Sequence, residues 1–323
     1  MVGLAVSTIV VAAGVPLLAL AVDACWGEPS VRWHPVAWMG RALHALGSRV
    51  APTRADTGVA WPFVLGALSW CALACVVVVA AWGGQWLACR LPAPLALVSL
   101  AVALKPMLAW RMLRDEVLAV EAALARSLAA ARERLSSLVS RDVAGLDAAQ
   151  VRGSALSSLA ENLNDAVVAP LFWFALLGLP GAALYRFANT ADAMWGYPGQ
   201  RDGRYWRWAG KWAARADDVL SWLPARLTAG ALVLAAHGRC RGSLAAEARK
   251  TPSPNGGWPM AALALALDVR LAKPGVYVLH PSGREPAAAD VPAAVALAAR
   301  SLRWLVPVLA LLAAVVSWRG HPA

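Results

Sequence analysis

Six apolar runs recur along the chain, at 4–22, 61–82, 91–110, 167–185, 219–237 and 300–318, each separated from the next by polar residues. Each is close to the roughly 20 residues that carry a helix across a bilayer. The first ends at Asp23 and has no basic leader before it, so it reads as a retained span rather than a cleaved signal. Lys105 and Pro106 close the third run, where a lysine can snorkel and a proline can kink the helix. The fifth is the weakest, because Pro224 and Arg226 interrupt its first half. Between the third and fourth runs, MLRDEVLAVEAALARSLAAARERLSSLV keeps its apolar residues at helical spacing and predicts one amphipathic helix outside the bilayer. DVAGLD breaks it, and Asp147 or a neighbour is placed to cap the next helix. Further on, Asn255-Gly256-Gly257 reads as a turn and Trp258-Pro259 as a helix start, with a short strand expected at VYVLH. The pattern predicts a mainly α, polytopic integral membrane protein with about 4–6 embedded helices. It is expected to form one domain over residues 1–323, with sizeable polar loops.

Composition agrees with the pattern. The 323 residues are 59% hydrophobic, with a mean hydropathy of +0.55, too apolar for an ordinary soluble chain. Net charge is +11. Lys and Arg number four in 23–60, seven in 111–152, six in 186–218 and eight in 239–300. Such loops favour the cytoplasmic side, which places 23–60 and 111–165 there. A full crossing by 167–185 would put the basic loop 186–218 outside. A re-entrant or interfacial path for 167–185 and 219–237 keeps it cytoplasmic and is the expectation here. No aromatic-interleaved basic motif or zinc module points to nucleic acid. The five cysteines lack ligand spacing, and most of them read as small buried hydrophobes.

Candidate chemistry concentrates between Ser154 and Arg226. Glu161 and Asp165 are four apart, so a helix shows both carboxylates on one face, with Asn162 beside them and an apolar run directly after. Charge at a membrane edge is costly and marks function, although acids at a helix start also satisfy the helix dipole. In DACWGEPSVRWHPVAWMGR, Asp23, Glu28 and His34 could bind a metal but match no ligand module. Gly27, Pro29 and Pro35 make the segment an ordered loop, equally readable as a turn scaffold. There is no GxxxxGK[ST]; in GRYWRWAGKW the glycine spacing is wrong and Trp212 stands where a hydroxyl is needed. Neither GxGxxG, HExxH, GxSxG nor an inverted repeat of broken helices is present.

With those residues laid out, the chain resembles the membrane-bound adenosylcobinamide-phosphate synthase family of cobalamin biosynthesis over most of its length. The likeness rests on Asp23 with GEP and HPVAWMGR, then SLAENLNDAVVAPLFW, NTADAMWGY, ARADDVLSWLPARLTA and SPNGGWP, in that order. Ser157, Ser221 and Met260 stand where the family often has an acid, Asn and Glu. The resemblance implies an enzyme that joins a propionate of adenosylcobyric acid to (R)-1-aminopropan-2-ol or its O-phosphate. ATP with Mg²⁺ is the expected driver, since ionised acid and ammonium do not condense unaided in water. Carried onto this chain, Glu161 and Asp165 would hold Mg²⁺, with Asp217 and Asp218 as further carboxylates, only one of which is expected to reach the site. Asp192 would be the base for the amine, oriented by Asn189 one helical turn away. Arg226, with Lys211 and Arg215 behind it, would bind a phosphate or carboxylate. Asp23, His34, Asn162, Asn189, Asn255 and Trp258 complete the expected substrate contacts, and Trp195 or Trp258 would cover the corrin. Expected partners are the two substrates, membrane lipid and other cobalamin-pathway enzymes. Expected location is the inner membrane, active side cytoplasmic. A corrinoid carrier without turnover, or a membrane scaffold, are the other readings.

Overall fold

A computed structural model describes residues 2–54, 58–139, 142–238, 240 and 242–319. In chain order its helices are α1 Val2–Trp26, α2 Pro35–Val50, α3 Ala60–Ala88, α4 Ala93–Leu104, α5 Trp110–Leu124, α6 Leu128–Leu135, α7 Ala148–Leu163, α8 Ala169–Trp195, α9 Lys211–Ala235, α10 Leu244–Ala248, α11 Gly257–Leu267 and α12 Asp290–Arg319. Two small antiparallel hairpins accompany them, β1 Gln200–Arg201 with β2 Arg204–Tyr205, and β3 Leu271–Lys273 with β4 Tyr277–Leu279. Six helical stretches are long and apolar enough to cross a membrane: Ser7–Trp26, Ala60–Ala88, Ala93–Leu124, Ala148–Trp195, Lys211–Ala235 and Asp290–Arg319. Each overlaps one of the six apolar runs. The fold is a mainly α, polytopic membrane architecture.

Two compact units divide the chain, neither continuous in sequence. The first comprises Met1–Leu108, Ala169–Leu220 and Leu309–Ala323, the second Ala109–Val168 and Ser221–Val308. In the first unit α1 packs on α4, and α8 packs on α2 and α3. Helix α3 is apolar all round and leaves Val64, Leu68, Val76 and Val79 exposed, as a lipid-facing helix must. By contrast, α2 is amphipathic and buries Met39, Leu43, Gly47 and Val50 on one stripe. In the second unit α7 packs on α5 and α11, and α5 buries Trp110, Leu113, Val117, Val120 and Ala123.

The backbone departs from the expected pattern at several points, each with a local cause. The long amphipathic stretch is two helices, because Ser127 adopts an extended backbone and its hydroxyl accepts from Ala130 N as the cap of α6. Segment 23–41 is mostly helical: Asp23 lies in α1, Pro35 is the first residue of α2, and only the loop 27–34 between them is irregular. Regular α-helix cannot continue through Pro106, which offers no N–H to the turn before it. There α4 tightens into a 3-10 turn at Lys105–Met107. Finally, α8 is interrupted at Gly178, with φ 69° and ψ −157°, a conformation only glycine takes without strain. The amide freed there, Leu179 N–H, donates to Gln85 Oε1 of α3 at 2.7 Å.

Candidate functional site

In the second unit the backbone leaves α-geometry just where the acids cluster. Residues Asn164–Val168 form a π-turn between α7 and α8, a distortion often found at functional sites. It sets Asn164 into the core, where Nδ2 donates to Asp165 Oδ1 at 2.7 Å and Oδ1 accepts from the Thr228 hydroxyl at 3.1 Å. Asn164 and Thr228 are both buried, so the orientation of the Asp165 carboxylate is fixed from below. One α-turn earlier, Glu161 faces the loop before α11: a β-carbon on Gly256 would lie 2.9 Å from Glu161 Oε1. That loop is pinned by Ser253, whose hydroxyl oxygen accepts from Asn255 N at 3.2 Å and Gly256 N at 3.1 Å.

Arg226 of α9 meets the same loop. Its guanidinium carbon lies 4.2 Å from the Trp222 ring centre and 4.8 Å from that of Trp258. Nη1 donates to Trp222 O at 2.6 Å and Asn255 Oδ1 at 3.0 Å, and Nη2 donates to Pro254 O at 3.2 Å. Of the five N–H donors a guanidinium carries, three are engaged. The Nε–H and one Nη2–H have no partner among the described residues, so a rigidly clamped cation keeps two donors for an anion. Asn162 is turned differently: its Nδ2 donates to Ser158 O and Oγ of its own helix.

The first unit holds two further groups. Lys105 is buried between carboxylates, its Nζ 3.2 Å from Asp23 Oδ1 and 3.1 Å from Glu28 Oε2. His34 Nε2 lies 2.9 Å from the same Glu28 oxygen. Burial pushes the Glu28 carboxyl up, but the hydrogen bonds from His34 and Lys105 outweigh it and hold the group below its usual range. In the second group Asn189 Nδ2 approaches Asp217 Oδ1 at 3.5 Å while Asn189 Oδ1 accepts from Arg186 Nη1 at 3.3 Å. Asp218 points elsewhere and pairs with Arg215 at 3.3 Å. Asp192 lies against Gly196, where a β-carbon would collide with its carboxylate.

Several expectations change. Lys105 does not snorkel: its side chain is 6% exposed, and it belongs to the cluster of Asp23, Glu28 and His34. Asn189 is engaged with Asp217 and Arg186 rather than serving as a support for Asp192 alone. Arg215 is tied to Asp218, and Trp195 is fully buried, donating to Leu43 O and stacked on Trp206, so it has no face for a corrin. The cysteines are not buried as expected, since Cys25, Cys75 and Cys89 are exposed; two of these lie at or beside helix ends and Cys75 on the outward side of α3. Sequence reasoning passes over Lys105, Arg186, Asn164 and Thr228 as site residues. A lone cation inside an apolar run is the available signal for Lys105, and one directly after such a run for Arg186; nothing local marks the others. Among the described residues no three His, Cys, Asp or Glu side chains are grouped to hold a metal ion. The donor set therefore does not fit a resident protein-only centre. Glu161 and Asp165 are carboxylates, the hard oxygen donors that Mg²⁺ prefers.

A family model described as CobD/Cbib protein matches residues 16–304. The chain belongs to the CobD/Cbib family. Among its relatives, "Cobalamin biosynthesis protein CobD" of Chromobacterium violaceum is 40% identical over 94% of this chain and 97% of its own length. "Probable cobalamin biosynthesis protein CobD" of Methanothermobacter thermautotrophicus is 42% identical over 81% and 85%. The Rhodobacter capsulatus protein named "Cobalamin biosynthesis protein CobD" is 36% identical over 93% and 97%. No solved structure matches. The family match spans all three groups of polar side chains, from Asp23 through Trp258.

Proposed function

We propose that this chain catalyses the amide-forming step of cobalamin biosynthesis in which a propionate of adenosylcobyric acid is joined to (R)-1-aminopropan-2-ol or its O-phosphate. The observation that carries the reading is Arg226. A guanidinium clamped between two tryptophans, with two donors left over, suits a planar carboxylate or a phosphate. Asn255 holds it there, and the Trp258 ring, which Arg226 already meets, would supply aromatic surface to the corrin.

Condensing a carboxylate with an ammonium expels water against a large hydration cost, so the acid requires activation; ATP is the co-substrate that accounts for it. Glu161 and Asp165 would hold Mg²⁺, which when bound offsets the negative charge of the phosphate and carboxylate oxygens. Asn164 and Thr228 keep the Asp165 carboxylate oriented toward that task. Arg186 and Asn189 hold Asp217 in place. Asn162, with its NH₂ committed to Ser158, offers only its carbonyl oxygen to substrate. The enzyme works in the inner membrane with its basic loops and its active side in the cytoplasm, next to other enzymes of the pathway.

A strain lacking this gene tests the step. When vitamin B12 is required it should grow on supplied cobinamide and not on cobyric acid. Growth on cobyric acid would place the block earlier and defeat the assignment.

A further inference from the structure

Helix α12 of the second unit carries a cation that the protein leaves unanswered. None of the five N–H donors of the part-buried Arg300 has an acceptor among the described residues, and its Nε is sealed from solvent as well. A guanidinium cannot shed its charge, and a buried donor without an acceptor is costly. Arg300 shares one face of α12 with Ala293, Ala296 and Leu297, and together they line a cavity of about 350 Å³. The rest of the wall comes from the ends of α9 and α11 and includes His237 but no acid. Arg303, one turn beyond Arg300, and His237 also have no acidic partner among the described residues.

Helix ends do not answer Arg300 either. A helix C-terminus amounts to about half a negative charge, held on its last carbonyls. In α9 the backbone takes these: Leu232 and Val233 O accept from Ala236 N–H, and Leu234 O accepts from His237 N–H. In α11, Ala264 O accepts from Val269 N–H at 3.0 Å. The cavity therefore favours an anion from outside the chain.

Its place along α12 selects the kind of anion. Trp304 and Val308 follow Arg300 at steps of four on the same face, and they are 67% and 60% exposed. On a helix long and apolar enough to cross a membrane, an exposed apolar stripe faces lipid, and tryptophan marks its edge. Leu234, in the last turn of α9, is exposed as well. Basic pockets between membrane helices at this level suit acidic headgroups.

We propose that this cavity seats the phosphate of an anionic phospholipid on the Arg300 guanidinium, with its acyl chains along Trp304 and Val308. Phosphate oxygens match the fork of a guanidinium and supply the missing acceptors. Arg303 and His237 add to the attraction. A metal ion or an ammonium does not suit a wall that holds basic groups and no acid, and a soluble anion gains nothing from the apolar stripe. The site does not depend on the amide-forming reaction proposed above.

The test is lipid titration of the purified full chain in neutral detergent, read by native mass spectrometry. Phosphatidylglycerol is compared with phosphatidylcholine of the same acyl chains, whose choline cancels the phosphate charge. Phosphatidylglycerol should bind the wild type at least about tenfold more tightly. Arg300→Gln should remove most of that preference, while Arg249→Gln, an exposed cation of the same unit, should keep it. Equal binding of the two lipids by the wild type overturns the proposal even if Arg300→Gln fails to fold. An undiminished preference in folded Arg300→Gln overturns it too. Soluble glycerol 1-phosphate that displaces the lipid at equal concentration would make the occupant a free phosphate and defeat the lipid assignment.

Discussion

At the scale of single residues, two carboxylates decide whether the polar face beside the membrane is chemistry or helix-end decoration. Glu161 at the loop before α11 and Asp165 on the π-turn are held in different ways. Asp165 is fixed by Asn164 and Thr228, and Glu161 faces Gly256. Glu161→Gln and Asp165→Asn keep shape and remove charge. If they hold Mg²⁺ with a phosphate, each should lower turnover on the order of 10²-fold. As helix-end groups they would cost only about 0.5–2 kcal/mol of stability and leave turnover within a few-fold. Steady-state rates at two Mg²⁺ concentrations separate these, because raised Mg²⁺ should partly restore a binding defect. Thr228→Val leaves the buried Asn164 oxygen without its donor and should depress turnover, whereas Thr228→Ser should restore it. The pair Glu161 and Asp165 is legible from a spacing of four. Asn164 is not, because in sequence it is one more amide beside an acid, and only the π-turn turns it inward.

At the scale of elements, apolar runs recover all six stretches long enough to cross a membrane but not α2, and one cap is foreseen: Asp147 forms a reciprocal capping box with Gln150. What escapes is the interruptions. A serine at 127 and a glycine at 178 look ordinary in sequence, yet each sits where the backbone changes direction. The break in α8 is tolerated because Gln85 answers Leu179 N–H; membrane backbone off the helical path needs such a partner. Gln85→Leu should therefore destabilise the protein by about 1–3 kcal/mol and raise hydrogen exchange at Leu179, read by denaturation and exchange in detergent. Unchanged exchange there would show that the amide has another acceptor. The same logic explains Lys105. Snorkelling is a fair reading of a lysine at the end of an apolar run, but Pro106 turns the chain, and two acids in α1 and the following loop, far away in sequence, hold the ammonium.

At the scale of the whole molecule, acid stability follows from two anchored carboxylates outside the membrane segments. Burial pushes both Glu28 and Glu247 up. His34 and Lys105 outweigh it at Glu28, and Lys250 with the His280 backbone N–H outweigh it at Glu247, so both end below their usual range. A depressed carboxyl binds its proton more readily in the unfolded chain. Its stabilisation is thus complete above the unfolded value of about 4.3 and is lost as pH falls through the lower folded value. Melting temperature should be flat from neutral pH down to about 5.5 and drop below about 4.3; a rise on acidification would contradict this. The architecture and the family are readable from hydropathy and five ordered motifs, while the three polar groups form only when distant segments fold together within each unit. The central claim is the amide bond itself. Mass spectrometry of the purified protein with adenosylcobyric acid, MgATP and each amine should show the corrinoid gaining the amine and losing water, and folded protein that yields no such product with either amine would contradict the account.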